Sequence, residues 1–156
     1  MIFFIKLLTL YYKFLSSRNM STSSSRAFSG DECLIDSGST NTILQHTKFF
    51  SELLPTQKPD GTISGVSNII EGSGIAHITL SSGTKLIIND ALYSSKSRRN
   101  LLSFKDIRNN GYHLKTIDLN NIEYLQIISH KHGNEIVHEQ LKALSSGLYC
   151  VNINPI

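Results

Sequence analysis

From about residue 31 onward, apolar residues come in short runs, many alternating with polar ones and most closed by Gly, Asn or Ser. A period of two over four to eight residues is the signature of a strand with one buried face. On this basis strands are expected at "CLID" (33–36), "GTISGV" (61–66), "GIAHITL" (74–80), "TKLIIND" (84–90), "YHLKTI" (112–117), "IEYLQII" (122–128), "NEIVHEQ" (134–140) and "GLYCVNI" (147–153). "LSSGT" (80–84), "DLNNI" (118–122) and "HKHGN" (130–134) join successive runs and read as hairpin turns. The pattern changes to a helical one at "SFKDIRNNG" (103–111). Ser103 stands at the N-cap, Asp106 takes the third-residue position of a capping box, and Gly111 follows the last turn. A second short helix is expected within "NTILQHTKFFSELL" (41–54), where Phe49, Phe50, Leu53 and Leu54 fall near helical spacing. Many short strands with one or two short helices predict a mainly β fold, a small closed antiparallel barrel or sandwich.

Composition narrows this picture. The chain has 156 residues, 40% apolar and 17% charged, enough for one modest core. Net charge is +3, and the one dense basic group, "KSRR" (96–99), is too short to form a nucleic-acid stripe. It is expected to be a solvated loop, and no direct nucleic-acid binding is predicted. Cys33 and Cys150 form no CxxC pair and are expected as buried free thiols. Residues 1–30 differ from the rest. An apolar, aromatic stretch is followed by a Ser-rich linker, and Met20 offers an alternative start. Lys6 and Lys13 interrupt the apolar stretch well short of the roughly 20 residues of a membrane span. A basic start ahead of the apolar run is also missing. A cytoplasmic protein without a membrane anchor is therefore expected, with residues 1–15 at most a weak signal sequence. The folded domain is assigned to residues 31–156.

The candidate chemistry lies in "ECLIDSGSTNTIL" (32–44). Asp-Ser-Gly is an ordinary turn sequence, since the Asp carboxylate accepts from the backbone two residues on. Here, however, an apolar strand delivers the aspartate, and Ser37, Gly38 and Ser39 complete the aspartic peptidase signature D-[ST]-G-[ST]. Such chemistry needs a carboxylate at a rigid strand end. It also needs a small residue that brings a backbone N–H to it, and hydroxyls that fasten the loop. Other constellations are weaker. His130, His132 and His138 lack the spacing and the fourth ligand of a zinc site and read as exposed histidines. "EGSG" (71–74) lacks the Lys-Ser/Thr of a phosphate loop. No metal and no cofactor are predicted.

The order of motifs resembles the protease region of copia-type (Pseudoviridae) retrotransposon Pol polyproteins. The matching elements are "LIDSGST", "IIEGSGIAHI" (69–78), "LIINDALYS" (86–94), "NLLSFKDIRNNGY" (100–112) and "SSGLYCVNI" (145–153). Together they extend over residues 31–153, about four-fifths of the chain. The resemblance implies a retropepsin-like β-barrel cut from a larger polyprotein, with Asp36 catalytic and Ser37, Gly38 and Ser39 supporting its loop. It also implies a flap over an extended peptide, with Gly65, Gly72 and Gly74 as candidate flap glycines. The other reading of these glycines is tight strand packing. One departure stands out: Ser103 occupies the place where retropepsins carry Gly before their helix.

The chain has one D-[ST]-G. Hydrolysis by carboxylates alone needs two of them sharing a proton, because like charges about 3 Å apart do not both ionise. The ionised member takes a proton from the attacking water, and the protonated one polarises the scissile carbonyl. The resemblance thus implies a two-fold homodimer with one Asp36 per subunit, acting on a Gag-Pol-like polyprotein or peptide. The alternative is a catalytically inactive barrel fragment of a Pol polyprotein that acts as a binding module.

Overall fold

The computed structural model describes residues 31–55, 70–145 and 147–156. The leader 1–30 and the strand expected at 61–66, with Gly65, lie outside the described residues. The fold is mainly β, as the alternation predicts. Six strands close a barrel: β1 (Glu32–Asp36), β2 (Ile43–Leu44), β4 (Gly72–Leu80), β5 (Lys85–Tyr93), β6 (Asn100–Ser103) and β10 (Tyr149–Pro155). A further strand, β3 (Phe50–Pro55), extends the sheet beside β4. The barrel order is β10-β1-β6-β2-β5-β4, and β10 returns to β4 through Ile153↔Leu80, Asn154↔Thr79 and Pro155↔Ile78. Most ladders are antiparallel. Two are parallel, β1 with β6 and β2 with β5, a feature that strand patterns do not reveal.

Alternation fills the barrel. Cys33 and Ile35 of β1, Ala76, Ile78 and Leu80 of β4, Leu86, Ile88 and Ala91 of β5, Leu102 of β6 and Tyr149, Val151 and Ile153 of β10 are all buried in one cluster. Each buried Leu, Ile or Val among them typically contributes about 1.5–3 kcal/mol by leaving water. Cys33 pairs in register with Val151, and Leu34 with Cys150, so the two thiols stand on opposite faces of the wall. Both are free. Burial, then the neighbouring Cys150, pushes the Cys33 thiol well above its ordinary range. Cys150 is only half-buried, less than the sequence suggests.

The second helix does not form. Residues 41–54 hold β2, a single 3-10 turn at Thr47–Phe49, and the start of β3. Phe49 is buried at 1% exposure while Leu54 is 72% exposed, so the helical spacing did not describe one face. Strand pairing with β4 overrides the local pattern.

Helix α1 (Phe104–Asn109) follows β6 directly, capped by the Ser103 hydroxyl, which accepts from the Lys105 N–H. The reciprocal half of the capping box is not made. Asp106 turns instead toward Thr42, and the Ser103 N–H donates to the Thr42 hydroxyl at 3.2 Å. At the other end, the Asn110 side chain both accepts from the Ile87 N–H and donates to the Ile87 carbonyl, at 2.9 Å each. The helix is thereby stitched to the edge of β5.

Three strands make a second sheet: β7 (His113–Leu119), β8 (Ile122–Lys131) and β9 (Asn134–Lys142). Its first turn is Asn120-Asn121, both at positive φ (52° and 60°), the geometry of a two-residue type I′ loop. His132-Gly133 repeats it. Leu125, Ile127 and Leu141 bury one face of this sheet in the barrel's own core. Glu139 of β9 is 1% exposed and accepts from the Ser82 N–H and the Thr84 hydroxyl (2.7 Å) in the β4–β5 turn. Among the described residues no helix is long and apolar enough to cross a membrane.

Candidate active-site turn

Asp36 is the last residue of β1. Cys33 and Ile35 point inward, so Leu34 and Asp36 stand on the outer face. The chain then turns. The Gly38 N–H donates to Asp36 Oδ1 at 2.9 Å, the Asx-type bond that the sequence allows. Ser37 and Gly38 are exposed, and Asp36 is half-buried. The Ser39 hydroxyl donates to the Asn41 carbonyl at 2.6 Å, closing the turn locally. Asn41 reaches on to the Asp90 carbonyl at 3.1 Å.

Ser103 lies beside this turn. It pairs in register with Asp36. Its hydroxyl donates to the Ser39 carbonyl at 2.9 Å while also capping α1. Asp106 Oδ2 accepts from the Thr42 hydroxyl at 2.7 Å and from the Thr42 N–H at 3.1 Å. Thr42, Ser103 and Asp106 are all buried. The Thr42 carbonyl in turn accepts from the Leu92 N–H at 2.8 Å.

Sequence reading missed a second feature, an apolar row beneath Asp36. Cys150, Leu34, Leu101, Ile43 and Leu92 are aligned across five neighbouring strands by register. All five are half-buried and alternate with inward residues. The inward-facing core residues were legible from alternation. The outward row was not, because only the register brings these residues to one level.

The candidate flap glycines that are described, Gly72 and Gly74, both lie in β4. A Cβ on Gly74 would stand 1.9 Å from the Glu52 carbonyl oxygen of β3, and one on Gly72 would stand 2.8 Å from that of Leu54. Both positions are therefore points of close backbone approach between β3 and β4. Gly65 lies outside the described residues.

The remaining candidates sit elsewhere. His130 and His132 are exposed at the β8–β9 hairpin end. His138 is partly covered, hydrogen-bonded to Ser129 at 2.7 Å and edge-on to Tyr112. Among the described residues no cluster of His, Cys, Asp and Glu is arranged to hold a metal. "KSRR" forms a turn held by Glu71, which accepts from the Ser95 N–H and hydroxyl at 2.6 Å each. The Ser95 hydroxyl bond is the largest cause that draws the Glu71 carboxyl below its usual range. A cavity of about 440 Å³ lined by Gln45, His46, Thr47, Lys48, Tyr93 and Ser95 opens past the C-terminal ends of β2 and β5, away from Asp36.

A family model for the beta-barrel domain of Pol polyproteins matches residues 33–112. The match runs from β1 through α1 and stops before the second sheet and β10. No curated protein and no solved structure matches the chain.

Proposed function

Because this chain belongs to the family of Pol polyprotein beta-barrel domains, we propose that it is the copia-type, retropepsin-like aspartic endopeptidase module of such a polyprotein. The observation that carries the reading is the Asp36 turn. A carboxylate stands at the end of a core strand, held by the Gly38 N–H, above an outward apolar row. One chain offers one such carboxylate, so the active form is a two-fold homodimer with both Asp36 residues at its axis. Water attacks the scissile carbonyl between them. One carboxylate takes the water proton and its protonated partner donates to the carbonyl oxygen. The substrate is an extended peptide, bound by main-chain hydrogen bonds. Leu34, Leu101 and Ile43 supply a wall for apolar side chains next to the cleaved bond.

The second reading is a barrel that binds peptides or partner chains without cutting them, and the family match, which is to a beta-barrel domain, is equally compatible with it. Both readings are separated by one experiment. The full chain and Asp36→Asn are assayed on a mixed peptide library from pH 4 to 7, with sedimentation alongside. For the enzyme, cleavage tracks the dimer and falls by about a hundred- to ten-thousandfold in Asp36→Asn, the scale of losing a catalytic acid–base group. A monomer, or a dimer whose cleavage ignores Asp36, leaves the binding module.

A further inference from the structure

The hydrogen bonds around Thr42 connect two parts of the chain that share no local sequence. On one side is the turn 37–42, which follows Asp36 and holds it through the Gly38 N–H. On the other is the junction of β6 and α1. Four bonds join them: Thr42 N–H and hydroxyl to Asp106, Ser103 N–H to the Thr42 hydroxyl, and Ser103 hydroxyl to the Ser39 carbonyl. The Ser39 carbonyl is one residue from the Gly38 N–H that holds Asp36.

We infer that Asp106 is a positioning residue for Asp36, acting through Thr42 and Ser103. The inference rests on the catalytic reading of Asp36 for its purpose, though not for its test.

Three observations support it. First, Asp106 sits in the first turn of α1, where a local role would be to return to the Ser103 N–H. It gives that role up, and the Thr42 hydroxyl takes the Ser103 N–H instead. Second, the donors to Asp106 Oδ2 are both groups of one residue, Thr42, at 5% exposure of the aspartate. Buried bonds of this kind are enforced, since an orphaned partner is costly. Third, α1 is itself fixed at its far end, by the paired bonds between Asn110 and Ile87. Asp106 therefore presents its acceptor from a held element. The hydroxyl of Ser103 completes the device. The glycine expected there would have no group to hold the Ser39 carbonyl.

The test uses the full chain and reads Asp36 directly. The Gly38 amide resonance is followed by NMR while pH is varied through the carboxylate range, with Gly38 hydrogen exchange and cleavage alongside. Thr42→Val removes the hydroxyl at nearly constant shape, and Thr42→Ser keeps it. In Thr42→Val the Gly38 resonance is expected to lose its coupling to Asp36 titration, and its exchange to rise about tenfold, the order for one lost hydrogen bond. Thr42→Ser should restore both, and Asp106→Asn, which keeps an acceptor for Thr42, should retain most of the coupling. If Thr42→Val merely unfolds more easily while Gly38 still reports Asp36 as before, Asp106 is only structural and the inference fails. Should Thr42→Val not fold, Ser103→Ala decides, because it cuts the link to Ser39: unchanged coupling at Gly38 overturns the proposal. Absence of cleavage in the unmodified chain would sink the enzymatic reading and leave the NMR answer standing.

Discussion

Glycine 74 shows how a single position constrains the wall of a barrel. Its missing side chain lets the β3 backbone approach to where a Cβ would stand only 1.9 Å from the Glu52 carbonyl oxygen. Backbone does not yield as a flexible side chain does, so Gly74→Ala forces β3 away from β4. Overpacking of this kind costs about 1–3 kcal/mol, and urea unfolding of the full chain should show a midpoint lowered accordingly. Sequence marked the glycine but left two reasons for it, mobility or close approach. Only the register with β3 supplies the second. Asp106 is a similar case. Its capping-box spacing was legible and its actual partner was not, because Thr42 lies 64 residues earlier.

At the level of elements, the hairpins were the most legible part. Alternating runs around "SSG", "NN" and "HG" became β4–β5, β7–β8 and β8–β9. The turn geometry is local, so local sequence carries it. Residues 41–54 were misread for the opposite reason, since their strands exist only through partners in β4, β5 and β6. The β4–β5 turn also depends on a distant group. Glu139 gathers the Ser82 and Thr84 N–H groups and the Thr84 hydroxyl, and so fastens the second sheet to the barrel. In Glu139→Gln one acceptor becomes a donor facing those N–H groups. A loss of about 1–3 kcal/mol is expected. Hydrogen exchange should speed up at Ser82 and Thr84 first, while the Cys33–Val151 ladder stays protected.

For the whole molecule, a mainly β fold was foreseeable from strand count and spacing, which left barrel or sandwich open; the family resemblance pointed to the barrel. The parallel ladders were not foreseeable, because a parallel pair is set by the crossover between strands. The family match ends at residue 112, before the second sheet and β10. Their junction is sensitive to alkali. Tyr149 of β10 donates its hydroxyl to Glu123 of β8. Burial first, then that bond and the charges of Glu123 and Asp118, push the phenol up from 10.0 to about 12. The folded state holds its proton longer than the unfolded chain does. Its contribution is therefore complete below pH 10 and is lost as pH rises toward 12. Urea midpoints measured from pH 8 to 12 should fall across that window, and Tyr149→Phe should flatten the slope.

The closing strand has a consequence for how the protein comes into being. β1 and the end of β4 both depend on β10 for their outer hydrogen bonds. A ribosome makes residues 149–155 after every strand they join. Until then the nascent barrel carries two open edges of the kind that pair with neighbouring chains. When this segment is translated as part of a longer polypeptide, several copies growing on one message would each pass through that sticky interval. The moment of greatest risk of entanglement is set by the order of the genetic text, not by the stability of the finished fold.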